Sequence, residues 1–355
     1  MRQQLSRFIF AILFLTSASG LAAADFYQGI RQMGMGGAAI AVVNDETALL
    51  LNPNGLGRLR EPYLTIIDPE VTTNTQSVKT VQDLAIINGA DIPEVYDELA
   101  GKQGDRYFYR SQIFPSFATR NFGIGFLAKN EVQAERLVAN DFLRLKYTSD
   151  LAAVVGYNWS AYGGILKLGA SVKAIDRVAH DGDVDPAVQG LDIKNYGRGG
   201  LGLGADVAMS VSSPTTVLPT LSVIAKDVGD TSFTLGNSTR NYPDDLAPAK
   251  IPMSVDIAMA LFPIHSNDMR STFTIEYDDV TNKGDAERKL HAGYEINLGD
   301  RLFLRAGYNR GYLTGGFEWA TRFFQFQMAY YNEEIGTDEL PIRDERVAAK
   351  FLLRF

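Results

Sequence analysis

The sequence has no cysteine, only three histidines and two tryptophans, and fewer basic than acidic residues, 34 Lys and Arg against 42 Asp and Glu. Without cysteine there is no disulfide framework. The formal charge of -8 argues against a general nucleic-acid binder, which needs a basic face to neutralise phosphates. After the first two dozen residues no apolar run reaches the roughly 18 residues of a membrane helix, so a polytopic helical protein is excluded. With 46% hydrophobic and 21% charged residues among 355, the chain is not disordered either. Length and near-neutral mean hydropathy alone suggest two soluble domains. One membrane class passes the same test, because a β-barrel alternates apolar and polar residues and averages to neutrality.

Residues 1–24 are built like a secretory signal. Arg2 and Arg7 form a positive start, Phe8 to Leu15 a compact apolar stretch, and Ala22-Ala23-Ala24 a small-residue cleavage pattern before Asp25. A retained anchor fits less well, since the apolar stretch is short and grades into Thr16, Ser17, Ser19 and Gly20.

From Phe122 onward the dominant period is two. Leu203, Ala205, Val207 and Met209 alternate with Gly204, Asp206, Ala208 and Ser210. Leu290, Ala292, Tyr294 and Ile296 alternate with His291, Gly293 and Glu295. A soluble sandwich gives alternation too, but an almost purely apolar face against one of Gly, Ser, Asp, Glu, Arg and His is expected where one side meets lipid and the other a polar lumen. The expected fold is all-β: a transmembrane antiparallel barrel of about fourteen strands, from Tyr63–Val71 to Arg346–Phe355. Connections alternate short and long as a barrel's two ends require, except that Arg310–Tyr312 is short where a long loop is due. The strands before and after the gaps end, on this reading, near Lys129 and Ile175. Within an outer loop near residues 76–104, Val78 to Leu99 has helical spacing broken by Asn88-Gly89 and Pro93, predicting two short helices. Tyr147, Tyr157, Trp159, Tyr308, Trp319, Tyr330 and Tyr331 fall toward strand ends, where aromatic girdles sit. Phe351, Leu353 and Phe355 alternate with Lys350 and Arg354, and such a terminal strand resembles the signal that the outer-membrane barrel-assembly machinery reads.

Gly34-Met35-Gly36-Gly37 superficially satisfies a dinucleotide fingerprint. No strand precedes these glycines and β-prone Ile40 to Val43 follows, so that context fails. Together with Ala41 to Ala48, Asn52-Pro53 and Ile67-Asp68-Pro69-Glu70-Val71, the segment resembles the start of the FadL-like family of outer-membrane transporters for long-chain fatty acids and other hydrophobic compounds. Asn54 replaces the family's alanine after Asn-Pro, so the match is partial and confined to about the first fifth of the chain. The resemblance implies a hatch over residues 25–60, with Gly34, Gly36, Gly37, Asn52 and Pro53 shaping it, inside a barrel over 61–355. It also implies passive uptake of a hydrophobic small molecule across the bacterial cell outer membrane, with release through a wall opening. Family members diverted to carrying or assembling exported proteins supply the alternative.

Chemistry-bearing residues are few. His291, Arg305, Lys350 and Arg354 are placed on the lumen side, where they would hold a ligand carboxylate or pair with acids such as Asp256, Glu276, Asp278 and Glu295. Asp181, Asp183 and Asp185 alternate like a calcium loop, but Pro186 stands where an EF-hand needs glycine and Asp192 replaces its glutamate. Neither His180 nor His265 has a visible serine–acid pair, so no enzyme is expected. The expected partners are outer-membrane lipid, a hydrophobic small-molecule ligand and the assembly machinery. No nucleic acid or cofactor is expected, and the protein is expected to be a monomer.

Overall fold

The computed structural model describes residues 26–77, 92–102, 104–138, 141–240, 242, 247–281, 287–336 and 342–354. Residues 1–24, expected from sequence to be a secretory signal, and residues 78–91 and Phe355 lie outside these residues.

Fourteen antiparallel strands close into a barrel. Strand β1 runs in two halves, Tyr63–Ile67 and Glu70–Asn74, and β2 likewise, Arg106–Ile113 and Ser116–Thr119. The others are β3 (Phe122–Arg136), β4 (Leu143–Ala161), β5 (Leu166–Val184), β6 (Arg198–Ser212), β7 (Thr220–Lys226), β8 (Ser254–Leu261), β9 (Met269–Tyr277), β10 (Leu290–Leu298), β11 (Leu302–Asn309), β12 (Tyr312–Ala320), β13 (Phe324–Glu334) and β14 (Arg343–Arg354). Each pairs with its sequence neighbours, and β14 closes on both halves of β1, from Arg346 opposite Asn74 to Arg354 opposite Thr65.

The period-two pattern decides which side chains face out. Phe126 is 58% exposed, Leu203 56% and Trp159 51%, while their neighbours Gly125, Gly204 and Asn158 point inward and are buried. A continuous apolar outer face of this size is not compatible with water and marks the lipid-facing surface. The short β11–β12 connection is a two-residue turn in which Arg310 (φ 49°) and Gly311 (φ 99°) both adopt left-handed conformations, the geometry that suits a tight hairpin.

Strands β3 and β5 run on to Arg136 and Val184, beyond the ends read from sequence. Alternation continues here in β3, β4 and β5, but Val132, Ala134, Leu145, Tyr147 and Val178, of the parity that faces outward lower down, become buried. They are covered at the long-loop end by Ile92, Val95 and Leu99 of the helix α3 (Ile92–Glu98) and its flank, forming a separate apolar core. Tyr147 belongs to this core and is no girdle residue. Tyr331 is not one either: it is fully buried on the inward side, where its hydroxyl accepts from Arg110. Tyr157, Trp159, Tyr308, Trp319 and Tyr330 do face outward.

Residues 26–59 thread the lumen through α1 (Ile30–Gly34), α2 (Ala48–Leu51) and a 3-10 turn, Pro53–Arg58. Asn52 shapes the bend before Pro53. Its side-chain oxygen accepts from the Asn54 amide at 3.1 Å, and its Nδ2 donates to the Ile40 carbonyl at 2.7 Å and to Ser222 at 3.2 Å.

Candidate functional site in the lumen and its wall

The N-terminal segment lies directly on the wall, and glycines on both sides permit the approach. Gly36 has φ 71°, and a Cβ there would stand 2.5 Å from the Ala292 carbonyl oxygen; Gly37 (φ 90°) packs on the His291 ring. Opposite them, a Cβ on Gly293 would meet the Met35 carbonyl at 2.5 Å, and one on Gly307 would collide with the Gly36 amide nitrogen. Gly34 meets Gly316 in the same way.

Charged side chains fasten this contact. Arg31 reaches Glu295 at 2.9 Å; Glu295 also binds Arg305 at 2.6 Å, and Arg305 in turn binds Glu318. His291 has one ring nitrogen 2.8 Å from the Gly36 carbonyl and the other 3.0 Å from Asp278. Glu276 accepts the amide hydrogens of Ala39 and Ile40 at 2.8 and 3.0 Å. Lys350 pairs with Asp68 at 3.1 Å. Three of the four lumen residues singled out in the sequence thus hold partners on the wall or the N-terminal segment. Of Arg354 the backbone alone is described, paired with Thr65. In the last strand Phe351 is outward and packs on Phe324 at 4.6 Å, with Leu353 partly exposed beside it.

Ion pairs line the wall on β3–β6 as well, Lys129 and Arg177 with Asp150 and Lys173 with Asp206. Between them, Ala118, Leu127, Ala152, Val154 and Ile175 on β2–β5 form an apolar core with Phe26, Tyr27, Leu49 and Leu56 of the N-terminal segment. This core ends at a break in the wall. Thr65 opposes Ser116 and Glu70 opposes Gln112, so four residues of β1 face three of β2 between them, and no β1–β2 ladder pairs run from Ile66 to Pro69. Pro69 and Pro115 lack the N–H groups a ladder needs. The Asp68 carboxylate takes the place of a ladder carbonyl by accepting from the Phe114 amide at 2.5 Å. The Phe114 ring closes the gap from inside, lying over Gly125 and 6.4 Å from the Tyr27 ring. Asp68-Pro69 was singled out by motif, but Phe114-Pro115 was not. A proline within an alternating strand was the available signal.

Two small cavities beside the N-terminal segment measure about 30 and 20 Å³, room for a very few water molecules. A far larger space of about 1500 Å³ opens at the short-turn end.

Asp181 and Asp183 lie within β5, where the sequence reading placed a loop. Asp183 pairs with Arg144 at 3.0 Å, and Asp185 caps the following helical turn through the Ala187 amide. Among the described residues the acids close enough to share a metal ion are instead Asp256, Glu276 and Asp278, with Lys226 already 2.7 Å from Asp256. His265 does meet a serine, Ser271, at 2.6 Å, and His180 stacks edge-on against Tyr196.

No family model and no curated protein matches this sequence. Among solved structures, the chain is similar to the CymD monoaromatic hydrocarbon channel, with TM-score 0.58 and 12% identity over 95% of this chain and 99% of that one. It is similar to the toluene transporter TodX of Pseudomonas putida at TM-score 0.53 and 12% identity, over 93% and 99% of the two chains. A Pseudomonas aeruginosa FadL homologue gives TM-score 0.50 and 10% identity over 92% and 97%. At such identities the likeness is one of fold.

Proposed function

We propose that this barrel sits in the bacterial outer membrane and passively takes up a hydrophobic small molecule, releasing it sideways through the break between β1 and β2. The observation that carries the reading is the apolar core on β2–β5, which includes Ile175, Leu127, Phe26 and Tyr27 as well as Phe114 at that break. A hydrophobic solute gains about 25 cal/mol per Å² by staying on such a surface, and a lateral exit spares it the aqueous side of the lumen. The structural neighbours described by name as a hydrocarbon channel and a toluene transporter support the same class of ligand, within which long-chain fatty acids are a narrower group. In the present state the path is filled by the N-terminal segment's own side chains, so the segment acts as a hatch that a ligand must displace.

That filled lumen also favours a second reading, a non-transporting barrel that carries or assembles exported proteins. Mass spectrometry of lipids and hydrocarbons co-purifying with the detergent-extracted barrel, paired with uptake by a deletion strain, separates the two. Uptake predicts a bound apolar molecule and slower entry of toluene or oleate in the deletion strain. An empty barrel together with unchanged entry of both compounds rejects it.

A further inference from the structure

The space of about 1500 Å³ at the short-turn end is lined by nine Lys and Arg side chains and five Asp and Glu, the reverse of the chain's overall acidic balance. Four of the five carboxylates are engaged: Glu295, Glu318 and Asp45 with Arg31 or Arg305, and Asp300 3.7 Å from Arg270. Six of the nine cations have no carboxylate within ion-pair distance among the described residues, and three of these, Arg58, Arg120 and Lys167, gather on the β2–β5 side.

Three separate stretches of chain bring them together. The Asn121 amide donates to the Leu56 carbonyl at 3.1 Å, fixing the β2–β3 turn that carries Arg120 against the 3-10 turn that carries Arg58. Gly57 lies on the Lys167 stem, where a Cβ would stand 3.1 Å from its Cδ. Lys167 is 8% exposed and close enough to both arginines for their charges to act on it. Few of the available donors are used. Lys167 gives one hydrogen to the Gly164 carbonyl at 2.5 Å, Arg58 gives one to the Ala41 carbonyl, and Arg120 gives none among the described residues. Burial and the neighbouring Arg31 charge hold the Arg58 guanidinium below its usual range. Gathered like charges with spare donors are electrostatically unfavourable until an anion arrives to accept them.

We propose that Arg58, Arg120 and Lys167 form a binding site for an oxyanion, a carboxylate or phosphate group, at the short-turn mouth of the barrel. The site stands independently of the uptake reading. The same cavity is lined by Phe262, Ile264, Phe303 and Phe323, and the Arg58 guanidinium lies 5.8 Å from the Phe262 ring. An alkyl chain attached to the anion would therefore find apolar surface beside the site, so the oxyanion is either free in solution or the head group of an amphiphile.

Calorimetric titration of the full-length barrel in a non-ionic detergent with inorganic phosphate, and separately with decyl phosphate, tests this. Saturable binding is expected, weakened about tenfold or more by Arg120→Gln and by Lys167→Gln, the loss of one or two charge-assisted hydrogen bonds. Arg322→Gln, at the same mouth but stacked on Phe323, is expected to leave it unchanged. Equal affinities for the two probes identify a free oxyanion, and tighter decyl phosphate binding identifies an amphiphile head group. Absence of saturable binding by either probe, or an Arg322→Gln loss equal to that of Arg120→Gln, overturns the site. Exposed Arg120 keeps the test meaningful if a Lys167 variant fails to show the heat-modifiable gel shift of a folded barrel.

Discussion

Lys350, on the last strand, places its ammonium 3.1 Å from one oxygen of Asp68, whose other oxygen accepts the Phe114 amide at 2.5 Å. One buried carboxylate thus joins barrel closure to the broken seam, with both charged side chains nearly inaccessible to solvent. Removing one partner of a buried pair leaves the other charge uncompensated, at a cost of about 3–5 kcal/mol. Lys350→Met is expected to lower the urea midpoint, followed by the fluorescence of Trp159 and Trp319, and the double variant with Asp68→Asn to recover part of the loss. An unchanged midpoint in the single variant would show that the pair contributes nothing.

The seam depends on its prolines. Replacing Pro69 and Pro115 together by alanine restores two N–H donors and lets the ladder continue between β1 and β2. The barrel is expected to keep its gel shift while uptake of toluene falls to the level of the deletion strain. Full uptake through a continuous ladder would place the exit elsewhere.

Glycine packing at the N-terminal segment makes a paired prediction. Gly307→Ala puts a methyl group into the Gly36 backbone, whereas at Gly315 the nearest atom to a new Cβ is 3.9 Å away. Overpacking of this kind costs about 1–3 kcal/mol. A single cysteine introduced at Met35, in a chain with none of its own, is expected to react faster with a maleimide in the Gly307→Ala background than in Gly315→Ala. Equal rates would mean that the segment accommodates the methyl group.

The long β7–β8 connection is tied down by Asp230, which accepts from Lys250 at 2.6 Å and from the Met253 amide at 2.8 Å. Those two hydrogen bonds, that from Lys250 first, hold its carboxyl below the usual range. The folded form therefore binds this proton less readily than the unfolded chain. Its contribution is complete above the unfolded carboxyl value of about 3.9 and is lost as pH falls through the lower folded value. Pepsin is expected to cut this loop faster at about pH 2 than at about pH 4, with Asp230→Asn cut readily at both. A cleavage rate in Asp230→Asn equal to the parent at the higher pH would dismiss the anchor.

Strand number, alternation and the unequal loop lengths were legible because they are local. Leu203 and Gly204 differ in side chain, and a period of two sends them to opposite sides whatever the rest of the chain does. The ends of β3 and β5 were not legible, because Val132 and Val178 lose their exposure to a distant helix and not to a change of pattern. Tyr147 and Tyr331 read as girdle residues for the same reason: strand-end position is local, while burial under α3 or against Arg110 is not.

The sequence by itself determined that this chain alternates between an apolar and a polar face often enough to close a barrel, and that glycines crowd its first lumen segment. Only the tertiary structure decided who meets whom inside. Glu318, distant in sequence from Arg31, joins it through Glu295 and Arg305, and Asp278 faces His291. Arg58, Arg120 and Lys167 share one mouth, and none of them is ion-paired among the described residues. Periodicity assigns a side chain to a face. Its partner on that face is set by barrel closure, strand register and the path of the N-terminal segment, which are properties of the whole chain.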